Sequence, residues 1–332
     1  MKLGNIVLEK TAALAPMASV ADHAYRLMCK RYGAAMVTGE MASAKGMFYS
    51  DRKTAELLSV TGEEYPMGVQ LFGSEPDIMA AACKKAAKFS PQFIDINMGC
   101  PVQKVVSTGS GSALMKTPQL AADIVKACVD AVDLPVTVKI RKGFDNDNIN
   151  AVELACMLEE AGASAITVHG RTKRQMYNPP VDIDIIAQVK QAVSIPVIGN
   201  GDITTPQRAA EMYRKTGCDL VMIGRGSYGH PWIFEEVSRY LEDGTLLPPK
   251  SVEERLEIML EHISLICKFK GERLGIRESR KHAAWYVKGM RGAAKFRNAC
   301  GQLASYEDVV ELAKRVMAEN RLRKIPERFS GK

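Results

Sequence analysis

A short, continuously apolar run followed by a helical stretch recurs along the first ~235 residues of this chain. Such runs are too short and too uniformly apolar for strands with one face in water. They fit parallel strands that are covered on both faces. We predict eight strands, at residues 12–15, 35–37, 67–71, 93–97, 136–140, 165–168, 197–199 and 220–223. Helices are predicted between them, at 75–88, 118–132, 150–161, 184–192 and 206–215.

Eight such units favour an α/β fold of the (β/α)8 TIM-barrel type, and a doubly wound open sheet is the structural alternative. Residues suited to binding or catalysis follow the carboxyl ends of many different predicted strands. A barrel gathers all strand ends around one mouth, whereas an open sheet gathers only those near its switch point. These residues therefore favour the barrel. They are Met17, Glu40, Gln70, Asn97, Cys100, Lys139, Arg141, His169, Asn200, Asp202 and Arg225.

The repeating pattern stops near Tyr240, and the chain then changes character. Residues 241–250, LEDGTLLPPK, are typical of a linker. Ser251 followed by Glu254 has the spacing of a capping box that opens a helix. Further helix starts are predicted near residues 272 and 305. We therefore predict a catalytic barrel over 1–240 and a small all-helical domain over 251–332.

The net charge of +7 is unevenly distributed along the chain. Residues 241–332 contain 19 Lys and Arg against 13 Asp and Glu, whereas the first 240 residues contain 26 against 25. A basic surplus confined to one part of a chain indicates a polyanionic partner, with nucleic acid ahead of membrane. A solvated basic face is the alternative interpretation.

The eight cysteines are scattered, and no pair has the CxxC spacing of a zinc site or redox motif. They are typical of reduced thiols in a cytoplasmic protein, and all but Cys100 are interpreted as packing residues. No apolar run approaches the roughly 18 residues that a membrane span needs. We therefore expect a monomeric, cytoplasmic protein without a metal site.

Two glycine-containing segments end the predicted seventh and eighth strands: VIGNGDI at 197–203 and VMIGRGSYGHP at 221–231. Barrels often bind phosphate at this place through backbone N–H groups. Gly201, Gly224 and Gly226 would let the backbone approach an anion, and Arg225 would supply a charged contact. Glycines that only punctuate the loops are the alternative.

Three further residues stand out at strand ends. Lys139, in VKIR, is suited to be a Schiff-base nucleophile or a fixed cation beside a cofactor, with a surface lysine as the alternative. His169 ends the sixth strand in register with this lysine and is predicted to be a site residue. Cys100 lies between a glycine and a proline, so a sharp turn is predicted to expose it at the mouth of the barrel. Its role there is that of an acid, a nucleophile or simply a packing residue.

Together these segments resemble the tRNA-dihydrouridine synthase family, and among its bacterial branches the B-type. The resemblance spans nearly the whole chain, and the full set of matching segments is far more specific than any one of them. Gly39 stands where Ser or Thr is usual, and Ser110 where Ala is usual. Pro179 replaces a usual Gly, and Ile183 a usual Trp. The matching segments are LAPMA (14–18), GEM (39–41), VQLFG (69–73), DINMGCP (95–101), GSALM (111–115), VKIR (138–141), VHGRT (168–172), GNGDI (199–203), IGRG (223–226) and ESRKHAAWYVKGM (278–290).

The resemblance implies bound FMN that NADPH or NADH reduces. Hydride would pass from flavin N5 to C6 of a tRNA uridine, in the D-loop, and Cys100 would donate a proton to C5 to give 5,6-dihydrouridine. Such a uracil must be flipped out of the folded RNA, and Asn97 and Arg171 are candidates to hold it. The implied flavin ring contacts are Pro16, Met17, Ala18, Gln70, Lys139 and His169. The implied phosphate contacts are Asn200, Gly201, Asp202, Gly224 and Arg225.

A basic stripe is predicted in the helical domain. If residues 273–291 form one helix, its 100° spacing brings five basic side chains within an arc of about 80°. Apolar residues gather on a different face, so the stripe fits binding to a phosphate backbone. The basic residues are Arg273, Arg277, Lys281, Lys288 and Arg291, of which Arg277, Lys281 and Lys288 are predicted tRNA contacts.

Three rival functions remain at this level. A flavin barrel acting on a free pyrimidine, like dihydroorotate or dihydropyrimidine dehydrogenase, would not need the basic helical part. A Schiff-base aldolase using Lys139 would not be yellow. A non-catalytic RNA-binding barrel would leave Cys100 and Lys139 unexplained.

Overall fold

The computed structural model describes residues 1–48 and 57–321. These residues contain a closed barrel of eight parallel strands, in which each strand pairs with the next and the last pairs with the first. The predicted (β/α)8 TIM barrel is confirmed, and the doubly wound sheet is excluded. A short antiparallel hairpin, β1 (Lys2–Leu3) and β2 (Ile6–Val7), precedes it. The barrel strands are β3 (Ala12–Leu14), β4 (Val37–Ser43), β5 (Met67–Phe72), β6 (Phe93–Met98), β7 (Val136–Gly143), β8 (Ala165–Thr172), β9 (Val197–Asn200) and β10 (Leu220–Ile223).

Helices alternate with the barrel strands, and the five predicted helices are confirmed to within one residue at each end. Proline opens three of them, where its missing N–H leaves no helical hydrogen bond unmade. The helices of this part are α1 (His23–Arg31), α2 (Ala44–Phe48), α3 (Pro76–Ala87), α4 (Gln103–Val106), α5 (Pro118–Ala131), α6 (Ala151–Glu160), α7 (Asp184–Ala192), α8 (Pro206–Thr216) and α9 (Ile233–Asp243).

The second barrel strand lies further along the chain than predicted. The apolar run at 35–37 overlaps β4 only at Val37, because the strand continues through the polar residues Thr38, Gly39 and Glu40. Likewise, β7 and β8 extend past their apolar runs to Gly143 and Thr172. In each case the backbone ladder continues where polar side chains begin, so the apolar pattern marks only the amino-terminal part of these strands.

The amino end of the barrel is filled by apolar side chains that point inward. Phe93 at the start of β6 is 1% exposed and packs with hairpin residue Leu3 and strand residues such as Leu220. The Phe93 ring lies directly over Gly68, where an added Cβ would be 2.1 Å from it. The glycine in β5 is therefore needed for the close packing of the barrel interior.

The chain divides into two compact units. The first comprises residues 1–227 and 232–246, and the second comprises 228–231 and 247–332. Helix α9 continues to Asp243, inside the segment predicted as a linker, and ends at Gly244 in the left-handed conformation. The assignment of the two parts as catalytic and tRNA-binding stays a prediction. Residues 322–332 of the predicted helical domain lie outside the described residues.

The second unit is helical, as predicted. Its first helix opens with the predicted capping box, in which Ser251 N–H donates to Glu254 Oε2 (2.7 Å) and Glu254 N–H donates to Ser251 Oγ (3.1 Å). The helix over 272–286 is followed by a short helix that the sequence pattern did not reveal. The helices are α10 (Val252–Lys270), α11 (Glu272–Tyr286), α12 (Ala293–Cys300) and α13 (Tyr306–Arg321).

The prediction of one helix over 273–291 is wrong beyond Tyr286. Gly289 and Gly292 adopt positive φ values of 79° and 73°, which end the helical course of the backbone before α12 begins. Lys288 and Arg291 are therefore not on α11. No helix within the described residues combines the length and apolar character that crossing a bilayer requires.

We predict that Gly68→Ala destabilises the protein by about 1–3 kcal/mol, because the buried Phe93 ring cannot move aside for a methyl group. Chemical denaturation followed by circular dichroism measures this. Gly62→Ala is the control, since a Cβ there meets nothing within 4 Å. Equal denaturation midpoints for the two variants would contradict the proposed packing role.

Candidate active site at the mouth of the barrel

The strand register brings the predicted site residues together. Asn97 of β6 lies opposite Lys139 of β7, and Arg141 lies opposite His169 of β8. His169 in turn lies opposite Asn200 of β9. Because the strands are parallel, their carboxyl ends share one mouth, and these side chains line one side of it.

The turn that carries Cys100 is fixed by hydrogen bonds from several strands. Asn97 Oδ1 accepts from the backbone N–H groups of Gly99 (3.2 Å) and Cys100 (2.9 Å). Arg141 Nε donates to Gly99 O at 2.7 Å. Gly111, with φ 60°, approaches so closely that a Cβ would lie 3.0 Å from Cys100 O. The thiol is thus held on a rigid backbone at the mouth.

Cys100 is half-buried, and this burial raises the pKa of its thiol. The Val102 N–H and the cations Arg141 and Lys139 act in the opposite direction with smaller effect on this pKa. Cys100 is therefore a protonated thiol near neutral pH. The geometry favours a proton donor over a thiolate nucleophile, two of the roles that the sequence left open.

Lys139 lies beside Asn200 at the same mouth. Its Nζ donates to Asn200 Oδ1 at 3.0 Å, and Asn200 Nδ2 donates to Met222 O at 2.8 Å, which fixes the amide. Burial, followed by the nearby Arg141, lowers the pKa of Lys139 to about 8, while Asp95 and Cys100 act to raise it. At neutral pH, Lys139 is mostly a fixed cation.

His169 is 8% exposed, and burial lowers the pKa of its imidazole well below its usual range. Four cations, led by Lys139, lower this pKa further. The ring is therefore neutral at physiological pH, with one donor and one acceptor nitrogen. The neutral His169 ring and the nearby Lys139 cation together offer hydrogen-bond donors and an acceptor to a bound polar group.

Arg171 and Asp202 form an ion pair at the ends of β8 and β9. Arg171 Nη1 and Nη2 donate to the two Asp202 oxygens at 2.8 and 2.5 Å, and Arg171 Nε donates to Pro179 O at 2.7 Å. Asp202 also accepts from Val181 N–H at 3.0 Å. The pair pins the segment around 179–181. The Asp202 carboxylate is therefore occupied by contacts within the protein.

Arg225 follows β10 and is more accessible than Arg171, with a side chain 46% exposed. Its guanidinium lies 3.9 Å from the ring centroid of Tyr177, and Nη2 is 3.6 Å from Asp202 Oδ1. The preceding Gly224 has open space, because an added Cβ would only reach ordinary contact with Ala15 and Met17 at 3.6 Å. A cation beside glycine backbone is the arrangement expected of an anion site.

The two glycine loops contact each other closely. A Cβ on Gly226 would lie 2.0 Å from Ile203 O, and one on Gly201, whose φ is 134°, would lie 2.4 Å from Val181. Gly226 is therefore required for packing between the loops after β9 and β10, and Gly201 for packing of the loop after β9 against the segment after β8. The interpretation of the glycines as mere punctuation does not account for these contacts.

The remaining predicted contacts are positioned as follows. Pro16 and Met17 are partly buried after β3, and Ala18 is exposed. The next residue, Ser19, donates its N–H to the Glu40 carboxylate. In the helical unit, Arg277 and Lys281 are one turn apart on α11, whereas Lys288 is exposed beyond its end.

Two residues of the mouth were not predicted from the sequence. Asp95 lies within β6 and binds Gln70 and Thr137, and its signal was an acid inside an apolar run. Tyr177 is 48% exposed in a loop, and its sequence context gave no signal that it would face Arg225. Within residues 1–48 and 57–321, no group of three or more His, Cys, Asp and Glu is arranged to hold a metal ion.

The fold and the mouth together define a (β/α)8-barrel enzyme. The mouth combines the protonated thiol of Cys100, the buried cation of Lys139 and the partly exposed guanidinium of Arg225 beside Gly224. The carboxyl ends of the strands are also where enzymes of this fold bind and convert their substrates.

Comparison with known proteins identifies the family. The model for "Dihydrouridine synthase (Dus)" matches residues 13–322. The chain is 46% identical over 297 residues to tRNA-dihydrouridine synthase B of Vibrio vulnificus, covering 90% of this chain and 92% of that protein. It is 42% identical over 328 residues to a probable tRNA-dihydrouridine synthase of Rickettsia conorii, covering 97% and 99%. The chain belongs to the dihydrouridine synthase family, which confirms the resemblance seen in the sequence.

A solved structure of low sequence identity shares the fold. The old yellow enzyme homologue from Zymomonas mobilis aligns with a TM-score of 0.55 and 12% identity, covering 77% of this chain and 94% of that one. This likeness concerns the barrel architecture alone.

Because burial raises the pKa of Cys100, we expect iodoacetamide to alkylate it more slowly at neutral pH than it alkylates the same cysteine in the unfolded chain. The rate should still be rising at about pH 9, since the thiolate is the reactive form. Peptide mass spectrometry across a pH series measures this. A rate that reaches its plateau below neutral pH would show a thiolate and contradict the assignment.

Proposed function

We propose that this protein is a tRNA-dihydrouridine synthase, which reduces the C5=C6 bond of uridines in tRNA to 5,6-dihydrouridine. FMN is the proposed bound cofactor, and NADPH or NADH the proposed reductant. The observation that carries the proposal is the Cys100 turn at the mouth of the barrel, which hydrogen bonds from Asn97 and Arg141 hold in place. The names of the relatives described above support tRNA as the substrate.

The donor set of the mouth fits a flavin mononucleotide. Arg225, with the backbone at Gly201 and Gly224, fits its phosphate, and Asn200 and the Asp202 N–H lie on the same side of the mouth. The cation of Lys139 and the neutral ring of His169 fit the polar edge of the isoalloxazine. The further proposed ring contacts are Gln70, Pro16, Met17 and Ala18. When bound, the flavin supplies the hydride that goes to C6 of the uracil.

Cys100 is the proposed general acid. Its thiol holds the proton that C5 of the uracil receives, and burial keeps that proton in place at neutral pH. Arg141 and Lys139 lower the free energy of the thiolate that remains after the transfer. The thiolate then regains a proton from solvent, which restores the acid for another turnover.

The uridine must leave the RNA stack to reach this mouth. Asn97 and Arg171 are the proposed uracil contacts. Arg171 uses three N–H groups on Asp202 and Pro179, so two of its five donors remain for a substrate oxygen. Asn97 holds the Cys100 turn, which couples any uracil contact at Asn97 to the placement of the acid.

The reaction takes place in the cytoplasm under this proposal, where tRNA and reduced nicotinamide are present. The eight cysteines are free thiols, which suits a reducing compartment. We propose that the enzyme works as a monomer with tRNA as its macromolecular partner.

The central test compares wild type with Cys100→Ala on tRNA lacking dihydrouridine, with nucleosides measured by mass spectrometry. We expect the variant to retain flavin and oxidise NADPH, and its tRNA reduction to slow by about 10²–10⁴ because the general acid is lost. Cys156→Ala, on a half-buried residue of α6, is the control. Full tRNA activity in Cys100→Ala would refute the acid role, and activity on free uridine instead of tRNA would refute the substrate.

A second test concerns the basic residues of α11. Removal of one side chain that binds a phosphate lowers the slope of log affinity against log salt by about 0.7–0.9. Arg277→Ala combined with Lys281→Ala should weaken tRNA binding and flatten its salt dependence, without changing flavin content. Lys126→Ala combined with Lys215→Ala removes the same charge from α5 and α8 and serves as the control. Superimposable curves for wild type and the α11 variant would mean that RNA is bound elsewhere, such as near Lys104 and Lys173.

A further inference from the structure

A chain of hydrogen-bonded side chains runs from the barrel interior to the Cys100 turn. Thr137 Oγ1 donates to Asp95 Oδ1, and Gln70 Nε2 donates to Asp95 Oδ2, both at 2.6 Å. Asn97 Nδ2 then donates to Gln70 Oε1 at 2.8 Å, and Asn97 Oδ1 accepts from Cys100 N–H at 2.9 Å. The chain therefore connects three strands, β5, β6 and β7, to the backbone of the proposed acid.

The strand register explains why these side chains meet. Asp95 lies directly opposite Gln70 on one side and Thr137 on the other. All three are buried, with at most 4% exposure. Asp95 is therefore surrounded by partners that the barrel itself fixes, and water does not compete for its oxygens.

The direction of every hydrogen bond in the chain follows from the charge on Asp95. An ionised carboxylate only accepts, so Gln70 must turn its NH₂ group toward Asp95 and its oxygen toward Asn97. Asn97 must then use its NH₂ group on Gln70, which leaves its oxygen for the N–H groups of Gly99 and Cys100. A hydrogen-bond donor at position 95 that faces Gln70 would no longer favour the present orientations of the Gln70 and Asn97 amides.

We propose that Asp95 is a positioning residue for the reaction, which sets the orientation of the Gln70 and Asn97 amides and thereby holds the Cys100 turn in place. This inference rests on the proposed function only for its catalytic consequence. Asp95 acts on Cys100 through the backbone of its turn. The charge of Asp95 also determines which amide group Gln70 presents at the mouth.

The electrostatics of the site are consistent with this role. Burial raises the pKa of Asp95 to about 6, whereas hydrogen bonds from Thr137 and Gln70 and the charge of Lys139 act to lower it. Asp95 is therefore ionised at neutral pH and gains a proton as the pH falls through about 6. A protonated Asp95 must donate from one oxygen: a proton on Oδ2 opposes the Gln70 NH₂ group, whereas the Thr137 hydroxyl would turn to accept a proton from Oδ1.

The test is Asp95→Asn, which keeps the shape of the side chain and replaces one acceptor oxygen with a donor. We expect faster hydrogen exchange in the ligand-free protein at the peptide over residues 97–101, and a fall in kcat for tRNA reduction of about 10–10², since a misplacement near 1 Å has effects of this size. The KM for tRNA should change little. The wild type should lose kcat as the pH falls through about 6, and the variant should lack this acid limb.

Asp219→Asn is the matched control. Asp219 accepts from Val197 N–H at 2.8 Å and pairs with Lys190, at the amino ends of β9 and β10. The same chemical change there should leave exchange at 97–101, kcat and the pH profile as in the wild type. Gln70→Met provides a second route, because it interrupts the chain while Asp95 stays intact, and it should also speed exchange at 97–101.

Unchanged exchange at 97–101 in both Asp95→Asn and Gln70→Met would overturn the proposal. So would an acid limb that persists in Asp95→Asn. If hydrogen exchange at 97–101 becomes faster in the variants but the wild type forms no dihydrouridine, the proposed function is wrong. The role of Asp95 in holding the Cys100 turn is then still supported. If Asp95→Asn does not fold, exchange in Gln70→Met decides the question.

Discussion

The pairing of β10 with β3 is the constraint on which the whole mouth depends. Val221 lies opposite Ala12 and Ile223 opposite Leu14, and Ala15 N–H donates to Ile223 O at 2.9 Å just beyond. This closure brings the loop after β3, with Met17, against Gly224, which precedes Arg225. In an open sheet these first and last strands would be at opposite edges. The cofactor proposal therefore relies on the backbone hydrogen bonds that close the barrel.

Burial sets the chemistry of the mouth more than any single charge does. It is the largest influence on the pKa of Cys100, Lys139, His169 and Asp95, and in every case it disfavours the charged form. The result is a thiol that keeps its proton and an imidazole that stays neutral. Lys139 remains mostly charged because the ionised Asp95 opposes the effect of burial on its pKa. Each group is thus suited to a different task within a few ångströms of the same strand ends.

Some side-chain contacts at the mouth hold its loops in place. The Arg171–Asp202 pair occupies charges that the sequence assigned to uracil and phosphate, and it fixes the segment around Pro179. Pro179 is also one of the positions where this chain departs from the family pattern. The loop next to Tyr177 and Arg225 is therefore a part of the mouth in which this chain differs from that pattern, while Cys100 and Lys139 keep the family motif.

The sequence alone determined the features that depend on neighbouring residues. Apolar runs and helical periodicity predicted the barrel, the Ser251–Glu254 spacing predicted the cap, and ordered motifs identified the family. Only the tertiary structure decided that Asp95 meets Gln70 and Thr137 and that Arg171 pairs with Asp202. The reason is physical: caps and periodicity arise within one or two helical turns, whereas these side-chain partners come from different strands. Their contacts exist only after the barrel has closed and set the register.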